Sequence, residues 1–283
     1  MVYTPSKEEM DEFVMTGKGI EAIEDSLADL SLKLYSARKI RNDAKSNEES
    51  FFSRAKNRAE LDEIILDAKH ETKAFLGVNV YEEPVTKVVG LSDKILFLPR
   101  AIYSSLKSTI EKRKVNGKLI YGIDNGYDAY HKVIRFNPSN KAEAFSEYAH
   151  EYDHYIQDFF KLVKPIWRWN NFSFLEGHAR CVELNVSLDK TEKMDNPAFA
   201  VYSLERFLGE MKSAYKHYSR KMGRGIKEIL LRISCPNDNY EAKLVYDLDE
   251  PSDYASGAAF FTAKEAEMGK SVYTDVLLGK KIV

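Results

Sequence analysis

Residues 149–155 read Ala-His-Glu-Tyr-Asp-His-Tyr, so His150, Glu151 and His154 form the pattern H-E-x-x-H. On a helix, two residues four positions apart project from the same face. Two imidazoles with this spacing can bind one Zn²⁺, and a glutamate directly after the first histidine can reach a water on that metal. The segment therefore predicts a helix that carries two metal ligands and a general base.

The residues around this segment predict a long amphipathic helix. Asn140 and Glu143 match the N-cap and N3 positions of a capping box. His150, Glu151 and His154 lie beside the predicted buried face, where the wall of a cleft is expected. The alternative is an amphipathic helix with two surface histidines. The buried face is indicated by aromatic and apolar residues at three- and four-residue steps, namely Phe145, Tyr148, Ala149, Tyr152, Ile156, Phe159 and Phe160.

A catalytic zinc ion takes three protein ligands and leaves a position for water, so two histidines are not enough. A candidate third ligand, Glu176, follows His154 by roughly twenty positions. This arrangement resembles that of the gluzincin metallopeptidases, in which a second helix supplies a glutamate to the zinc site. The E-G-x-A form at residues 176–179 and the preceding Trp167 and Trp169 are similar to the zinc aminopeptidase and leukotriene-hydrolase group.

The resemblance implies a zinc-dependent peptidase that acts on a peptide or protein substrate. It implies that His150, His154 and Glu176 bind Zn²⁺ and that Glu151 is the general base. Zinc lowers the pKa of its water and polarises the scissile carbonyl, and the glutamate moves the proton.

Two other interpretations of the second segment remain open. Ser173 and Glu176 also fit a capping box, in which Glu176 would be structural only. His178 is a rival third ligand, but two positions from Glu176 it points to a different face of a helix. It could instead lie at the lip of the site or support a ligand from behind.

A third resemblance lies near the end of the chain, where Tyr254 and Gly257 form a Y-x-x-G segment. In the same families the tyrosine hydroxyl helps to hold the oxyanion, and a phenol suits this task because it is a neutral donor at pH 7. The alternative is a tyrosine at a helix start that packs on the core. Residues 122–126 stand where aminopeptidases carry G-x-M-E-N, but Asp124 replaces the glutamate and no methionine precedes it. Aminopeptidase specificity is therefore not implied.

The whole sequence predicts an α+β fold that is mainly helical. Residues 6–76 read as a helical hairpin or small bundle, with a capping box at Ser6 and Glu9 and a stop at Gly77. Residues 101–113 also look helical, and helices predominate from residue 195. Strand patterns predict a small sheet of about four strands ahead of the His150 helix; they lie at 85–89, 94–98, 119–123 and 132–136.

This order of elements, a sheet followed by the H-E-x-x-H helix, is what the upper subdomain of a zincin requires. We therefore predict an N-terminal helical region at residues 1–78 and a zincin-like metallopeptidase domain at residues 79–283. Within that domain, residues 79–162 form the sheet and active-site helix, and residues 163–283 form a helical subdomain. The N-terminal helices could cover the cleft and restrain the peptidase. Alternatively, the protein could be a non-catalytic helical interaction module that retains a zincin-like fold.

Composition excludes several classes of protein. Of the 283 residues, 44% are hydrophobic and 30% charged, a balance typical of soluble globular proteins. The net charge of −2 indicates no basic face, so nucleic acid is not expected as a partner. No apolar run approaches the roughly 20 residues of a membrane span, and no signal peptide is visible. Cys181 and Cys235 form no disulfide framework, so we expect a cytoplasmic protein with reduced thiols.

Overall fold

The helices and strands form a mainly helical α+β fold. A computed structural model describes residues 4–44, 55, 57–88, 113–115, 118–120, 126–129, 131–136, 140–162, 172–225 and 251–282. Eight α-helices lie within these ranges: α1 Lys7–Val14, α2 Gly17–Ala44, α3 Arg58–Leu76, α4 Lys141–Phe159, α5 Phe172–Met194, α6 Val201–Lys221, α7 Asp253–Met268 and α8 Ser271–Leu277. A 3-10 turn, Pro197–Ala200, precedes α6. The strands are β1 Val85–Val88, β2 Arg113–Val115, β3 Lys118–Ile120, β4 Gly126–Asp128 and β5 Val133–Phe136.

Several helix ends follow from local capping. The Ser6 hydroxyl accepts from the Glu9 amide at the start of α1, and Asn140 accepts from the Glu143 amide at the start of α4. Helix α3 ends at Gly77, which has the left-handed φ of 62° that favours glycine. These predicted boundaries are confirmed. The predicted break at 43–50 lies outside the described residues from 45 onward.

Three strands form a sheet in the order β1-β5-β4, with β1 parallel and β4 antiparallel to β5. The predicted strands at 85–89 and 132–136 are confirmed as β1 and β5. The expectation that 119–123 belongs to the same sheet is wrong, because β3 pairs with β2 in a separate antiparallel hairpin. The predicted strand at 94–98 and helix at 101–112 lie outside the described residues.

Two strands occupy positions where the sequence predicted other structure. The dipeptide Asn125-Gly126 favours a turn between two predicted strands, yet Gly126 begins β4. Tyr127 in that strand donates a 2.8 Å hydrogen bond to Asp158 and packs against Tyr155. Contacts with α4 therefore outweigh the local turn preference. Arg113, expected to end a helix, pairs with Ile120 in the β2–β3 hairpin.

Tyrosines fix α4 against β1 and the residues before it. Tyr148 shares a 2.7 Å hydrogen bond with Thr86, and Tyr155 donates a 2.6 Å hydrogen bond to the Glu82 carbonyl. Tyr152 donates to the carboxylate of Glu83, which lies between α3 and β1. These buried rings set the rotation of α4 about its axis, and that rotation decides where the histidines of the same helix point.

The N-terminal helices share one hydrophobic core with the later helices. Helix α2 packs along α6 and α7, α1 packs on α7, and α3 packs on α4 and α5. The Tyr218 hydroxyl donates a 2.6 Å hydrogen bond to Asp11 of α1. The division of the chain at residue 78 remains a prediction. Among the helices in the described ranges, none has the length and apolar character needed to cross a membrane.

Candidate metal centre

His150 and His154 lie one turn apart on α4. Their ring centroids are 4.9 Å apart and the ring planes are perpendicular. The His150 side chain is 5% exposed and that of His154 is 14% exposed, so both imidazoles are largely removed from water. Helix geometry thus delivers the pair that the H-E-x-x-H spacing predicted.

Helix α5 brings the Glu176 carboxylate to both imidazoles. Its Oε2 lies 3.3 Å from Nε2 of His150 and 3.2 Å from Nε2 of His154, and one donor atom of each residue lies within 4.8 Å of the others. Two ligand atoms about 2.1 Å from a tetrahedral zinc ion stand roughly 3.4 Å apart. The carboxylate-to-imidazole distances are close to this spacing, and they are equally the distances of hydrogen bonds. Glu176 does not form the alternative capping box, because the Ser173 hydroxyl lies inside α5 and donates to Asp253.

Gln157 keeps a proton on the Nδ1 of His154. The Gln157 Nε2 donates to Asp153 Oδ2 at 2.6 Å and to the Leu175 carbonyl at 3.0 Å, which fixes the orientation of the amide. The Gln157 Oε1 is then an acceptor 3.1 Å from His154 Nδ1, so Nδ1 must donate. This leaves the Nε2 of His154 facing Glu176, as a metal ligand would.

Glu183 lies behind His150. Its Oε2 is 3.3 Å from the His150 Nδ1, an ion-pair distance without good hydrogen-bond alignment. Glu183 is fully buried; it accepts a 2.5 Å hydrogen bond from Ser146 and contacts the Arg180 guanidinium. A carboxylate beside Nδ1 favours the tautomer whose Nε2 can bind a metal.

The electrostatics of the cluster favour a cation at its centre. Burial lowers the pKa of His154, but the Glu176 carboxylate outweighs it and raises the pKa to about 10. Burial and the Arg180 charge lower the pKa of His150, yet its contacts with the Glu176 and Glu183 carboxylates raise it overall. Burial raises the pKa of Glu176, but the two histidines bring it well below its usual range. Protons or a divalent metal ion can supply the required positive charge.

Glu151, the predicted general base, directly follows His150 on α4. The residue is only 9% exposed. Within the described part of the chain, no hydrogen bond or ion pair joins it to another residue. Among the described residues its carboxylate thus has no bonded partner, and a carboxylate of this kind can accept a proton.

Tyr254, in the first turn of α7, lies next to the cluster. Its ring centroid is 6.2 Å from that of His150 and 6.4 Å from that of Phe172. Burial and the negative charge of Glu176 raise the pKa of its hydroxyl above the usual value. The hydroxyl consequently remains a neutral hydrogen-bond donor at neutral pH.

Two glycines allow α5 and α7 to touch backbone to backbone. A Cβ on Gly177 would lie 2.1 Å from the carbonyl carbon of Gly257, and a Cβ on Gly257 would lie 1.8 Å from the Ser173 carbonyl oxygen. No side chain fits at either position. The glycines of the E-G-x-A and Y-x-x-G segments thus set the distance between Glu176 and Tyr254.

His178 lies outside the cluster. Its Nδ1 is 2.7 Å from Asp153 Oδ2, and its Nε2 donates across 3.1 Å to the Tyr273 carbonyl. Both ring nitrogens are therefore committed to contacts that join α4, α5 and α8. The structure does not bring this rival ligand to His150 and His154.

Arg180 and Glu183 had no predicted role in the site, although Glu183 belongs to the segment that resembles the glutamate helix of the zinc aminopeptidase and leukotriene-hydrolase group. A signal was present, since Glu176, Arg180 and Glu183 are spaced four and three residues apart on one face of α5. Trp167, Trp169 and Asp124 lie outside the described residues. Comparisons of the chain with protein-family profiles, curated proteins and solved structures find no match.

Proposed function

We propose that the protein is a zinc-dependent peptidase of the gluzincin type with a zincin-like fold. The observation that carries the proposal is the convergence of the Nε2 atoms of His150 and His154 on Glu176 Oε2 at distances of 3.3 and 3.2 Å. Two imidazoles and one carboxylate form a donor set suited to zinc. These three residues would hold the metal.

The remaining residues have the chemistry that peptide hydrolysis needs. Bound zinc lowers the pKa of a coordinated water to about 7 and polarises a carbonyl. Glu151 would take the proton of the attacking water and pass it to the leaving amine. Tyr254 would donate a hydrogen bond to the developing oxyanion. Gln157 and Glu183 would hold the two imidazoles in the metal-binding orientation.

Metal analysis and digestion of a peptide library test the proposal. We expect purified protein to contain one zinc ion per chain and to cleave peptides in a reaction that a chelator stops. Glu151→Gln should keep its zinc and lose turnover by about 100-fold or more, the usual contribution of a general base. His154→Ala should lose the metal. The control His70→Ala changes an exposed histidine on α3 and should do neither.

Three results would contradict the proposal: wild-type protein without zinc at physiological zinc levels, peptide cleavage that persists in chelator, or full activity of Glu151→Gln. A protein that binds no zinc and whose partner binding survives His150→Ala would instead be an interaction module.

We also propose a cytoplasmic location, because Cys181 is a buried free thiol. Recovery of the protein in a secreted fraction would contradict it.

A further inference from the structure

A cluster of buried charges lies behind the candidate metal centre. Arg180 is 1% exposed, although a guanidinium is rarely buried without partners. It contacts the Glu183 carboxylate, and its Nε lies 3.1 Å from the Glu210 carboxylate. Glu183 accepts a hydrogen bond from the guanidinium, whereas Glu210 lies at ion-pair distance without hydrogen-bond alignment, so two carboxylates from two helices hold this charge in place.

Arg180 is linked to both sides of the centre. Its guanidinium carbon lies 5.1 Å from the centre of the Tyr254 ring, within the range of a cation–π contact. Its partner Glu183 is the carboxylate beside His150 Nδ1. One ion pair on α5 thus contacts a proposed metal ligand on α4 and a proposed oxyanion donor on α7.

The position of Tyr254 depends on its ring contacts. In the described ranges, its hydroxyl has no hydrogen bond or ion pair with another residue. His150 and Phe172 flank the ring at centroid distances above 6 Å. The Arg180 guanidinium carbon lies closer to the ring centre, at 5.1 Å. Glu183 and Glu210 contact this guanidinium.

We propose that Arg180 is a positioning residue that holds the Tyr254 ring, and so aims its hydroxyl, while anchoring Glu183 behind His150. The kinetic part of this inference rests on the proposed peptidase function. Lysine cannot replace arginine here, because its ammonium group has no planar face to lie against a ring. It also lacks the several N–H groups with which a guanidinium can contact two carboxylates at once.

The same cluster offers a matched control in Arg206. Its guanidinium carbon lies 5.5 Å from the centre of the Tyr202 ring, and its Nη1 is 3.4 Å from the Glu147 carboxylate. Arg206 thus has a ring contact of similar length and a carboxylate partner, with a tyrosine that has no proposed role in catalysis. It differs from Arg180 in being 30% exposed and in donating to the hydroxyl of Tyr202 itself. Arg206→Lys should lose an equivalent contact without moving Tyr254.

A fluorine label reports the position of Tyr254 without reference to activity. The full chain is prepared with 3-fluorotyrosine at position 254 only, and its fluorine NMR spectrum is recorded after zinc is added. We expect one resonance in the parent protein, a shifted or broadened resonance in Arg180→Lys, and no change in Arg206→Lys.

An unchanged resonance in a folded Arg180→Lys protein would overturn the inference. If Arg180→Lys does not fold, Glu210→Gln, which weakens one anchor of Arg180, should shift the resonance, and no shift would overturn the inference.

A double-mutant cycle then tests whether Arg180 acts through Tyr254. Arg180→Lys should lower kcat by about 10-fold with KM changed less than about 2-fold, the pattern of a contact that matters in the transition state. In a Tyr254→Phe background the same substitution should have little further effect on kcat, because coupled residues are not additive. Fully additive losses would overturn the inference. If the wild-type protein cleaves no peptide, the proposed function fails, and the fluorine spectrum alone decides whether Arg180 positions Tyr254.

Discussion

The Gln157 side chain shows how one amide can prepare a histidine for a metal. It is fully buried, and both of its amide hydrogens are used by Asp153 and the Leu175 carbonyl. Only its oxygen is available to His154. The Nδ1 proton of the histidine is therefore already committed when a metal ion displaces the Nε2 proton, and part of the cost of ordering the ligand is met during folding.

We predict that Gln157→Leu weakens zinc binding by about 10- to 100-fold, the usual effect of removing a group that orients a metal-binding histidine. The dissociation constant is measured by competition with a chromophoric chelator. Asn185→Leu is the matched control, because Asn185 is a buried amide on α5 that donates to the Cys181 carbonyl away from the centre. Equal zinc affinities in wild type and Gln157→Leu would show that the amide does not orient the ligand.

At the scale of helices, the contact between α5 and α7 decides whether the parts of the centre meet. Glu176 is on α5 and Tyr254 is on α7, and the two helices touch at Gly177 and Gly257. Any side chain there would force the helices apart. The atoms that an added side chain would meet belong to the backbone, so they cannot rotate away as a flexible side chain could. One helix would have to move as a whole to make room.

We predict that Gly257→Ala lowers the free energy of unfolding by about 1–3 kcal/mol, the range for overpacking a core. It should lower peptidase activity more than zinc affinity, since Tyr254 moves with α7 while the three metal-binding residues are on α4 and α5. Urea unfolding, chelator competition and peptide cleavage give the three quantities. Gly17→Ala, in open space at the start of α2, is the control and should change none of them. A Gly257→Ala protein with wild-type stability and activity would contradict the assigned role of this contact.

The helices were predictable because their signals are local. Capping at Ser6 and Asn140, the stop at Gly77 and the three- to four-residue spacing of apolar residues all act within one or two turns. The proximity of His150 and His154 is equally local. Strand β4 was not predictable from its own residues, because the contacts of Tyr127 with α4 overrule a turn dipeptide. The burial of Arg180 was also hidden, since its carboxylate partner Glu210 comes from α6, thirty residues along the chain.

The N-terminal helices support the helix that carries Tyr254. Phe13 of α1 packs edge-on against Phe260 of α7 at 5.7 Å, and the Lys264 ammonium lies 3.6 Å from the centre of the Phe13 ring. Tyr215 of α6 donates a 3.2 Å hydrogen bond to Glu24 of α2. These contacts favour a scaffolding role over restraint of a peptidase by the N-terminal helices.

The two roles predict opposite effects when the packing of α2 is weakened. Ile23 is completely buried in the shared core, so Ile23→Ala should lower the free energy of unfolding by about 2–5 kcal/mol. If the helices are a scaffold, kcat/KM measured well below the unfolding midpoint should stay equal or fall. If they restrain the enzyme, loosening them should raise kcat/KM. Leu32→Ala is the control, because Leu32 is 66% exposed on the same helix and its loss should change stability by less than about 0.5 kcal/mol. A rise in kcat/KM for Ile23→Ala but not for Leu32→Ala would establish restraint and reject the scaffold role.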